Sequence, residues 1–579
     1  MTVFAGTSVR DDREETAAAS ARQQAALLIT SPADFAVALY GAWEAGLGVL
    51  PLPVDFPDER LRHMVGDCRP AALIASADQA DRAARLAAVT EPAVEVLVLD
   101  ALPDGDEHAP RPSPAPARRP GDAPAFTVYT SGSTGRPKGV LIRHGQIGRL
   151  VAWCADTWRL GPWARVAQTL SLGFDFGLQE LFTFLPFGGC VVVPAREDRL
   201  SARAYARFLR REHVSVLFTT PSFADELIAA GEQLPDLRLV LLGGEVLKGV
   251  TAEGLRGLAG DGCRLFNGYG PTEATVNCLM YEIPRPPEGE EPPRLVPVGS
   301  ATAAARIDVV DDEGRAVPVG ALGEIRIGGP GVADGYLERP ELSAERFVRC
   351  RETGELLYRT GDLAYARHDG VFVVVGRADR QTKIRGHRAE LGEIEQTLRG
   401  APDVVTAEVR ITGTPARLVA YLVGAGIDIG AVRAHVAARL PPAMLPEQEV
   451  LLDRMPMTAN GKLDEAALER LSEEGHARRL PDTASPAEIE AAVCAVWADA
   501  LAAPGIAPDA NVFDLGAHSL VVTRVHGRIS AALGVEFPVH EVFEYPRPRD
   551  LARRLAALRR DDRGGPADNL AAATVKDDQ

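Results

Sequence analysis

The chain has 579 residues, of which 46% are apolar and 25% charged, and its formal net charge is −17. This length exceeds what one core can serve and predicts three or four domains, while the composition excludes a mainly disordered chain. The acidic balance excludes the basic face that a nucleic-acid partner would need. Because no apolar run of about 20 residues and no basic-then-apolar start is found, we expect no membrane association and a cytoplasmic protein.

Short apolar runs alternate with helical runs over residues 21–100, which is typical of βα units. Later apolar runs end at Pro or Gly, where parallel sheets place their ligand-binding loops. Residues 102–124 form a predicted surface loop, the sequence becomes β-rich from about Val296, and a compact αβ region follows over 380–471. The predicted strands are 71–75, 94–99, 190–193, 214–218, 237–242 and 323–328.

The C-terminal part changes character after Ser472. A charged linker leads to SPAE at 485–488, a predicted capping box with proline at the first helical position. The following apolar residues recur at helical spacing and predict one buried face: Ile489, Val493, Val496, Trp497 and Leu501. We therefore expect a small helical module, followed by a disordered tail over 561–579.

Seven cysteines are scattered along the chain without a C-x-x-C pair, and no H-E-x-x-H helix is found. This spacing disfavours a structural zinc site or a disulfide framework, so buried free thiols are expected.

Residues 129–139 read YTSGSTGRPKG, in which eight of eleven residues are hydroxylated or glycine and only Arg136 and Lys138 are charged. Small residues let backbone N–H groups turn inward around an anion, and hydroxyls and a lysine add donors. The spacing does not fit a Walker A loop. A loop of this composition is suited to binding phosphates, although by itself it is more often a plain surface loop.

Six further sequence motifs, called words below, follow in order: FDFGLQE at 174–180, NGYGPTE at 267–273, GEIRIGGPGVADGYL at 323–337, YRTGDL at 358–363, GRADRQTKIRGHRAELGEIE at 376–395 and NGKLD at 460–464. Together with the phosphate loop, these words resemble those of nonribosomal peptide synthetase adenylation domains, members of the ANL adenylate-forming superfamily. FDLGAHSL at 513–520 resembles the attachment site of a peptidyl carrier protein.

The resemblance implies an α/β fold with a stand-alone adenylation–carrier organisation. It comprises a large N-terminal core subdomain (1–378) with parallel sheets and a β-rich portion, and a small α+β C-terminal subdomain (379–471). A linker (472–485) and a small four-helix, all-α carrier (486–560) complete it. The front end is shorter than in the related domains, which raises the question of stability.

The resemblance also implies an ATP and Mg²⁺ site. Phosphate groups are assigned to the loop and to Thr272, and Glu273 would hold Mg²⁺, which prefers carboxylate and phosphate oxygens. Tyr269 would stack on adenine, and Asp362, assisted by Arg377, would bind the ribose hydroxyls. The loop residues assigned to the leaving phosphates are Thr130, Ser131, Gly132, Thr134 and Lys138.

Three residues belong to the expected catalytic cycle. Lys462 would bridge the α-phosphate and the substrate carboxylate during adenylation, and Asp379 would be the hinge of the C-terminal subdomain. Ser519 would carry 4′-phosphopantetheine and receive the aminoacyl group as a thioester. In the motif FDLGAHSL, Ala517 stands where the related carrier proteins usually have glycine, directly before the His-Ser pair. Without the resemblance, Lys462 reads as a turn lysine and Ser519 as a helix N-cap.

Asp175 is expected to pair with the α-ammonium of an amino-acid substrate, since a buried ammonium needs a counter-charge. Aligning outward from the words, we predict a mostly apolar pocket, which disfavours a charged substrate side chain. Its start is similar to pockets for proline and pipecolate, and branched amino acids such as valine remain alternatives. The predicted lining is Asp175, Phe176, Gln179, Phe218, Val240, Leu242, Gly268, Val276 and Asn277.

Two other classes of function stay open. The chain could be a ligase for coenzyme A or a separate carrier, which Asp175 and Ser519 disfavour. It could also be a non-catalytic scaffold, which is disfavoured by the joint presence of Lys138, Glu273, Asp362 and Lys462. The expected partners are the amino acid, a phosphopantetheinyl transferase, condensation or tailoring enzymes on other chains, and an MbtH-like protein as a further candidate.

Overall fold

The computed structural model describes residues 23–99, 121–132, 136–260, 262–287, 289–350, 353–378, 381–384, 387–412, 417–457, 463–475, 484–501, 505–515, 517, 519–533, 535, 537 and 540–561. Two compact units divide the chain. The first comprises residues 1–198, 203–397 and 435–445, and the second comprises 199–202, 398–434 and 446–579. The predicted subdomain boundary at Asp379 lies outside the described residues and stays a prediction.

The first unit begins with a six-stranded sheet in the order β4-β3-β1-β2-β5-β6. The first five strands in this order are parallel, and β6 is antiparallel to β5. The short strand β1 is fully buried because helices cover both faces, as is usual for central parallel strands. Its elements are β1 (Gln24–Leu28), α1 (Pro32–Glu44), β2 (Gly48–Pro51), α2 (Asp58–Cys68), β3 (Ala72–Ala75), α3 (Ala80–Ala87), β4 (Glu95–Val98), β5 (Pro124–Thr130), β6 (Lys138–Arg143) and α4 (His144–Trp158).

A seven-stranded sheet follows in the order β13-β12-β11-β10-β9-β7-β8. Five of its seven strands are parallel to one another, namely β8, β7, β9, β10 and β11. Their carboxyl ends therefore meet at one edge of the sheet. Its elements are β7 (Arg165–Ala167), α5 (Asp175–Phe182), β8 (Cys190–Val192), α6 (Ala202–Arg211), β9 (Val216–Thr219), α7 (Pro221–Ala230), β10 (Leu239–Gly243), α8 (Gly249–Leu258), β11 (Arg264–Tyr269), β12 (Leu279–Glu282) and β13 (Ser300–Ala301).

The β-rich part of the first unit is an antiparallel sheet in the order β14-β15-β17-β16, with β18 also paired to β17. A hairpin and the first part of a helix complete the unit. The elements are β14 (Arg306–Val310), β15 (Gly323–Gly328), α9 (Pro340–Arg346), β16 (Phe347–Arg349), β17 (Leu356–Ala366), β18 (Phe372–Arg377), β19 (Gln381–Ile384), β20 (His387–Glu390) and α10 (Leu391–Arg399).

The second unit contains a three-stranded sheet and a helical module. Strands β21 and β22 are antiparallel, and β22 and β23 are parallel. The elements around the sheet are β21 (Thr406–Thr412), β22 (Arg417–Val423), α11 (Ile429–Ala437), β23 (Gln448–Leu452) and α12 (Glu465–Gly475). The helices described in the module are α13 (Pro486–Ala500), α14 (Ser519–Leu533), α15 (His540–Glu544) and α16 (Pro548–Asp561).

The capping box predicted for the helical module is confirmed. The Glu488 carboxylate accepts from the Ser485 N–H at 2.6 Å, and the Glu488 N–H donates to the Ser485 hydroxyl at 3.3 Å. Ile489, Val493 and Trp497 are buried in the module's core, as their spacing predicts. Ala517 is buried in the same core, so its methyl group is accommodated where the resemblance expects glycine.

The fold class and the six predicted strands are confirmed. The bounds of strand 323–328 are as predicted, and those of the other five differ by one or two residues. The cysteine prediction is confirmed in part. The seven cysteines, all within the described residues, form no disulfide. Cys68, Cys154, Cys263 and Cys278 are buried, whereas Cys190 is exposed because it begins the edge strand β8. Among the helices that the structure describes, none is long and apolar enough to cross a bilayer.

Candidate active site

The glycine-rich loop joins β5 to β6, the antiparallel pair at the edge of the first sheet. Thr130 and Lys138 are the last partners of the hairpin, so the loop leaves and re-enters the sheet at one point. At Gly132, a Cβ atom would lie 2.0 Å from the Arg136 carbonyl oxygen, so only glycine fits there. The Thr130 hydroxyl is buried and has no hydrogen-bond partner among the described residues, as expected of a donor that awaits a ligand.

A buried acidic side chain accepts a hydrogen bond from this loop. Glu393, on α10, accepts from the Gly132 N–H at 3.3 Å and from the Arg60 guanidinium at 2.8 Å. The Arg60 and Glu393 side chains are 5% and 1% exposed. A carboxylate oxygen on a loop N–H takes the kind of position that a phosphate oxygen would take. The loop therefore fits an anion, and Glu393 competes for one of its donors.

Lys138 and Glu273 form the charged centre beside the loop. Glu273 lies in the short 3₁₀ turn Thr272–Ala274, which follows β11, and its side chain is fully buried. The Lys138 ammonium is 3.9 Å from the Glu273 carboxylate, and the Tyr336 hydroxyl forms a hydrogen bond with each of them. Glu273 supplies the oxygen ligand that Mg²⁺ prefers alongside phosphate oxygens, and Lys138 supplies charge for the phosphates. These residues fit a magnesium–nucleotide ligand.

The predicted ribose group forms a second polar cluster. Asp362 on β17 and Arg377 on β18 are cross-strand partners and form an ion pair. The Tyr269 hydroxyl donates to the other oxygen of Asp362. Burial, together with the charge of Asp362, raises the pKa of Tyr269 well above its usual value, so the hydroxyl stays protonated. The structure thus brings together three residues that are far apart in sequence, although the Tyr269 ring is largely buried.

Helix α5 sets the position of Asp175, which is its first residue. The carboxylate accepts from the Phe176 N–H at 2.8 Å, and the helix N-terminus favours its negative charge. The helix is anchored by Glu180, which is fully buried and accepts from the N–H groups of Thr169 and Leu170 at 3.1 and 3.3 Å. A carboxylate with fixed orientation at the mouth of an apolar pocket is suited to binding an ammonium group.

The predicted pocket contains two interacting pairs. The Phe176 and Phe218 rings stack with centroids 5.5 Å apart and an interplanar angle of 26°. The Asn277 amide donates to the Gln179 carbonyl at 2.7 Å, and both side chains are buried. Gly268 lies beside Asn277, since a Cβ there would meet the Asn277 oxygen at 2.7 Å. The pocket thus has an aromatic side and an amide side.

The backbone on the amide side of the predicted pocket is strained. Thr275 and Val276 have φ values of 60° and 64°, which β-branched residues rarely adopt. The Thr275 hydroxyl donates to the Gly331 carbonyl at 2.6 Å, which helps to hold this conformation. The two residues connect the Glu273 turn directly to Asn277, so the ATP site and the pocket share one rigid segment.

Val240 and Leu242 were predicted to line the pocket, and this prediction is wrong. Leu241 is the register partner of Phe218, and Gly243 is the partner of Gly268. Because side chains alternate along a strand, Val240 and Leu242 point to the opposite face. Leu241 lies beside Gly268, and a Cβ at Gly243 would meet the Phe176 ring at 3.1 Å. The pocket side of β10 is therefore formed by Leu241 and Gly243.

Several predicted residues are not positioned by the structure. Thr134, Asp379 and Lys462 lie outside the described residues. Ser519 is the first residue of α14, at the start of the helix, as its word predicts. The roles predicted for these four residues stay predictions.

Sequence analysis gave no role to Tyr336, Glu393, Leu241, Gly243 or Arg60. Tyr336 and Glu393 lie within words noted above, so each could have been considered as a site residue. Leu241 and Gly243 follow from strand alternation once β9 and β10 are known to be parallel. Arg60 carried no signal, because its partner is 333 residues away in sequence.

Two protein-family models match the chain. The model of the AMP-binding enzyme matches residues 19–337, and the model of the phosphopantetheine attachment site matches residues 491–555. The first match covers more than half of the chain and includes the phosphate loop, the pocket helix and Tyr336. The second match includes Ser519.

Similar proteins agree with these matches. The chain is 36% identical over 554 residues to phosphinothricin tripeptide synthetase PhsC of Streptomyces viridochromogenes, covering 93% of this chain and 49% of that protein. It is 35% identical over 552 residues to malpinin synthetase of Mortierella alpina, covering 92% of this chain and 7% of that protein. The chain thus spans about half of the length of the first of these relatives and a small fraction of the length of the second.

The fold is similar to that of holo-PA1221, a nonribosomal peptide synthetase protein containing adenylation and PCP domains. The TM-score is 0.67 at 23% identity, and the match covers 94% of this chain and 92% of that one. At this identity the likeness concerns the fold.

Proposed function

Because the chain belongs to the AMP-binding enzymes, as an adenylation domain of the nonribosomal peptide synthetase type with a carrier domain, we propose that it activates an L-amino acid and loads it on itself. The amino acid is joined to AMP and then transferred to 4′-phosphopantetheine on Ser519. The observation that carries this proposal is the buried centre of Lys138, Glu273 and Tyr336 beside an anion-binding loop.

The first step forms one bond and breaks one bond. An oxygen of the substrate carboxylate attacks the α-phosphorus of ATP, and the bond to the bridging oxygen of pyrophosphate breaks. Negative charge accumulates on the leaving phosphates, which Lys138 and the loop N–H groups would stabilise. Glu273 would hold Mg²⁺, which would supply positive charge to offset part of that negative charge. Lys462 is proposed to hold the α-phosphate and the carboxylate together.

The second step is an acyl transfer that forms a thioester. The pantetheine thiol loses its proton to solvent and attacks the acyl carbon, and the bond from that carbon to the AMP oxygen breaks. Free AMP leaves and the aminoacyl group remains on the carrier. Asp379 is proposed to be the hinge that lets the C-terminal subdomain change position between the two steps.

The substrate is proposed to be an amino acid with a compact apolar side chain. Asp175 would pair with the α-ammonium, and Phe176 and Phe218 provide a flat apolar surface. A buried charged side chain would find no counter-charge on this lining. A proline-like ring is our first candidate and a branched aliphatic side chain, such as that of valine, is the second.

The partners follow from the proposed chemistry. A phosphopantetheinyl transferase would modify Ser519, and condensation or tailoring enzymes on other chains would receive the tethered amino acid. An MbtH-like protein is a further proposed partner. Since ATP is the cosubstrate, we place the reaction in the cytoplasm.

Intact-mass spectrometry of the phosphopantetheinylated protein, incubated with ATP and a panel of amino acids, tests the proposal. We expect one proline-like or aliphatic amino acid to add its residue mass, and Ser519→Ala to stay unmodified while it still exchanges pyrophosphate. Acylation of Ser519→Ala would contradict self-loading. The absence of pyrophosphate exchange with every amino acid would favour a scaffold, and acylation of added coenzyme A instead of the carrier would favour a coenzyme A ligase.

A further inference from the structure

The Tyr336 hydroxyl forms hydrogen bonds with both charged groups of the proposed ATP site. It donates to the Glu273 carboxylate at 2.7 Å and accepts from the Lys138 ammonium at 3.1 Å. The Lys138 nitrogen and the same Glu273 oxygen are 3.9 Å apart. All three side chains are buried, with 5% of Tyr336, 3% of Lys138 and none of Glu273 exposed.

Two opposite charges in a buried site attract each other strongly and normally close to about 2.7–2.9 Å. A direct contact of that kind would aim each charge at the other. A hydroxyl can accept from an ammonium and donate to a carboxylate at the same time, so it satisfies both groups while it separates them. The Lys138 nitrogen and the Glu273 oxygen are 3.9 Å apart, and both lie within hydrogen-bonding distance of the Tyr336 hydroxyl.

We propose that Tyr336 is a positioning residue for the magnesium–nucleotide ligand. Its hydroxyl prevents Lys138 and Glu273 from neutralising each other and orients them for their separate partners. Glu273 is thereby held ready for Mg²⁺ and Lys138 for the phosphates. This inference rests on the proposed use of ATP, and it assigns a role to a residue in the word at 323–337.

The backbone around Tyr336 is connected to both charged residues. The Leu337 N–H donates to the Gly139 carbonyl at 2.9 Å, next to Lys138. The Ala333 N–H donates to the Glu273 carbonyl at 2.9 Å. The segment 333–337 is therefore hydrogen-bonded both to strand β6, which carries Lys138, and to the turn that carries Glu273. These bonds fix the position of the Tyr336 hydroxyl relative to both side chains.

The tyrosine ring has a separate role from its hydroxyl. The Lys138 nitrogen is 4.2 Å from the ring centroid, and the ring edge packs against Phe347 with centroids 5.3 Å apart. Phenylalanine would keep both ring contacts and lose only the hydroxyl. Tyr336→Phe is therefore a selective variant with little change in packing volume.

A matched control is Tyr421→Phe in the second unit. The Tyr421 side chain is also fully buried, and its hydroxyl donates to the Leu468 carbonyl at 2.8 Å. Tyr421→Phe removes one buried hydroxyl, as Tyr336→Phe does, but outside the proposed ATP site. Any general cost of losing a buried hydroxyl is therefore measured by the control.

The test is isothermal titration calorimetry of MgATP into the full-length parent, Tyr336→Phe and Tyr421→Phe, with thermal unfolding of each. Mn²⁺ binding in the presence of ATP, followed by electron paramagnetic resonance, measures the metal directly. We expect Tyr336→Phe to weaken MgATP binding about 10- to 100-fold and to raise the Mn²⁺ concentration needed, with Tyr421→Phe unchanged. The KM for the amino acid should not move.

Parental affinity in folded Tyr336→Phe would overturn the inference and leave the proposed function intact. An equal loss in both variants would also overturn it, because it would indicate only a general effect of stability. If the parent itself binds no MgATP, the proposed function and the inference fail together.

Discussion

The proposed ATP site and the proposed amino-acid pocket are joined by one short segment, residues 272–277, but they are built by different forces. The ATP site consists of charged groups that are paired through hydrogen bonds, as in Lys138, Tyr336 and Glu273. The pocket consists of packed rings and strand side chains, in which one amide pair is the main polar contact between the predicted residues.

This difference determines how each region tolerates change. A charged centre loses function when one member is replaced, because the remaining charge is buried without compensation. A pocket lined by apolar side chains changes its preference gradually with volume, since one methylene group changes selectivity only modestly. Variants that separate ATP binding from amino-acid selection therefore test the comparison directly.

Glu273→Gln should have the largest effect. The amide keeps the volume but removes the negative charge that we propose to hold Mg²⁺. We expect kcat/KM for MgATP in pyrophosphate exchange to fall by about 100- to 1,000-fold, with the order of preferred amino acids unchanged. A changed order of preference, measured over the same amino-acid panel, would show that the two regions are not separable.

Leu241→Ala and Leu242→Ala form a matched pair with an intermediate effect. Both leucines are fully buried on β10, and each truncation should destabilise the protein by about 2–5 kcal/mol. Only Leu241 lies on the pocket face, so only Leu241→Ala should shift preference toward larger side chains, by roughly 10-fold. Competition between amino acids in pyrophosphate exchange measures this shift.

If Leu242→Ala changed the preference as much as Leu241→Ala, the assignment of the strand faces would be wrong. Thermal unfolding of both variants serves as the control, because comparable losses of stability are expected from the two truncations.

Removal of the Arg60–Glu393 pair should have the smallest effect. Glu393 occupies one N–H of the phosphate loop and repels phosphates, so its loss should favour ATP. Because Glu393→Gln alone would leave Arg60 buried without its counter-charge, the double variant Arg60→Met/Glu393→Gln is the suitable one. We expect MgATP to bind up to roughly 10-fold more tightly by calorimetry.

Weaker MgATP binding by the double variant would mean that Glu393 supports the loop instead of competing with phosphates. Amino-acid binding, measured alongside, should not change.

The sequence by itself determined the α/β fold, the helical module and the order of the site words. Charged and glycine-rich motifs can be recognised in the sequence because phosphate and metal binding require particular residue types, as in the loop around Lys138 and the turn of Glu273. The capping box at Ser485 and the apolar face with Trp497 are likewise local features, with their partners within a few turns of helix.

Only the tertiary structure decided which face of a strand lines the pocket. A shift of one residue moves a side chain to the opposite face, so Val240 and Leu242 could be distinguished from Leu241 and Gly243 only through the register with Phe218. The same holds for Tyr336 and Glu393. Their hydrogen-bond partners come from distant parts of the chain, and no local sequence pattern predicts which buried polar groups will be in contact.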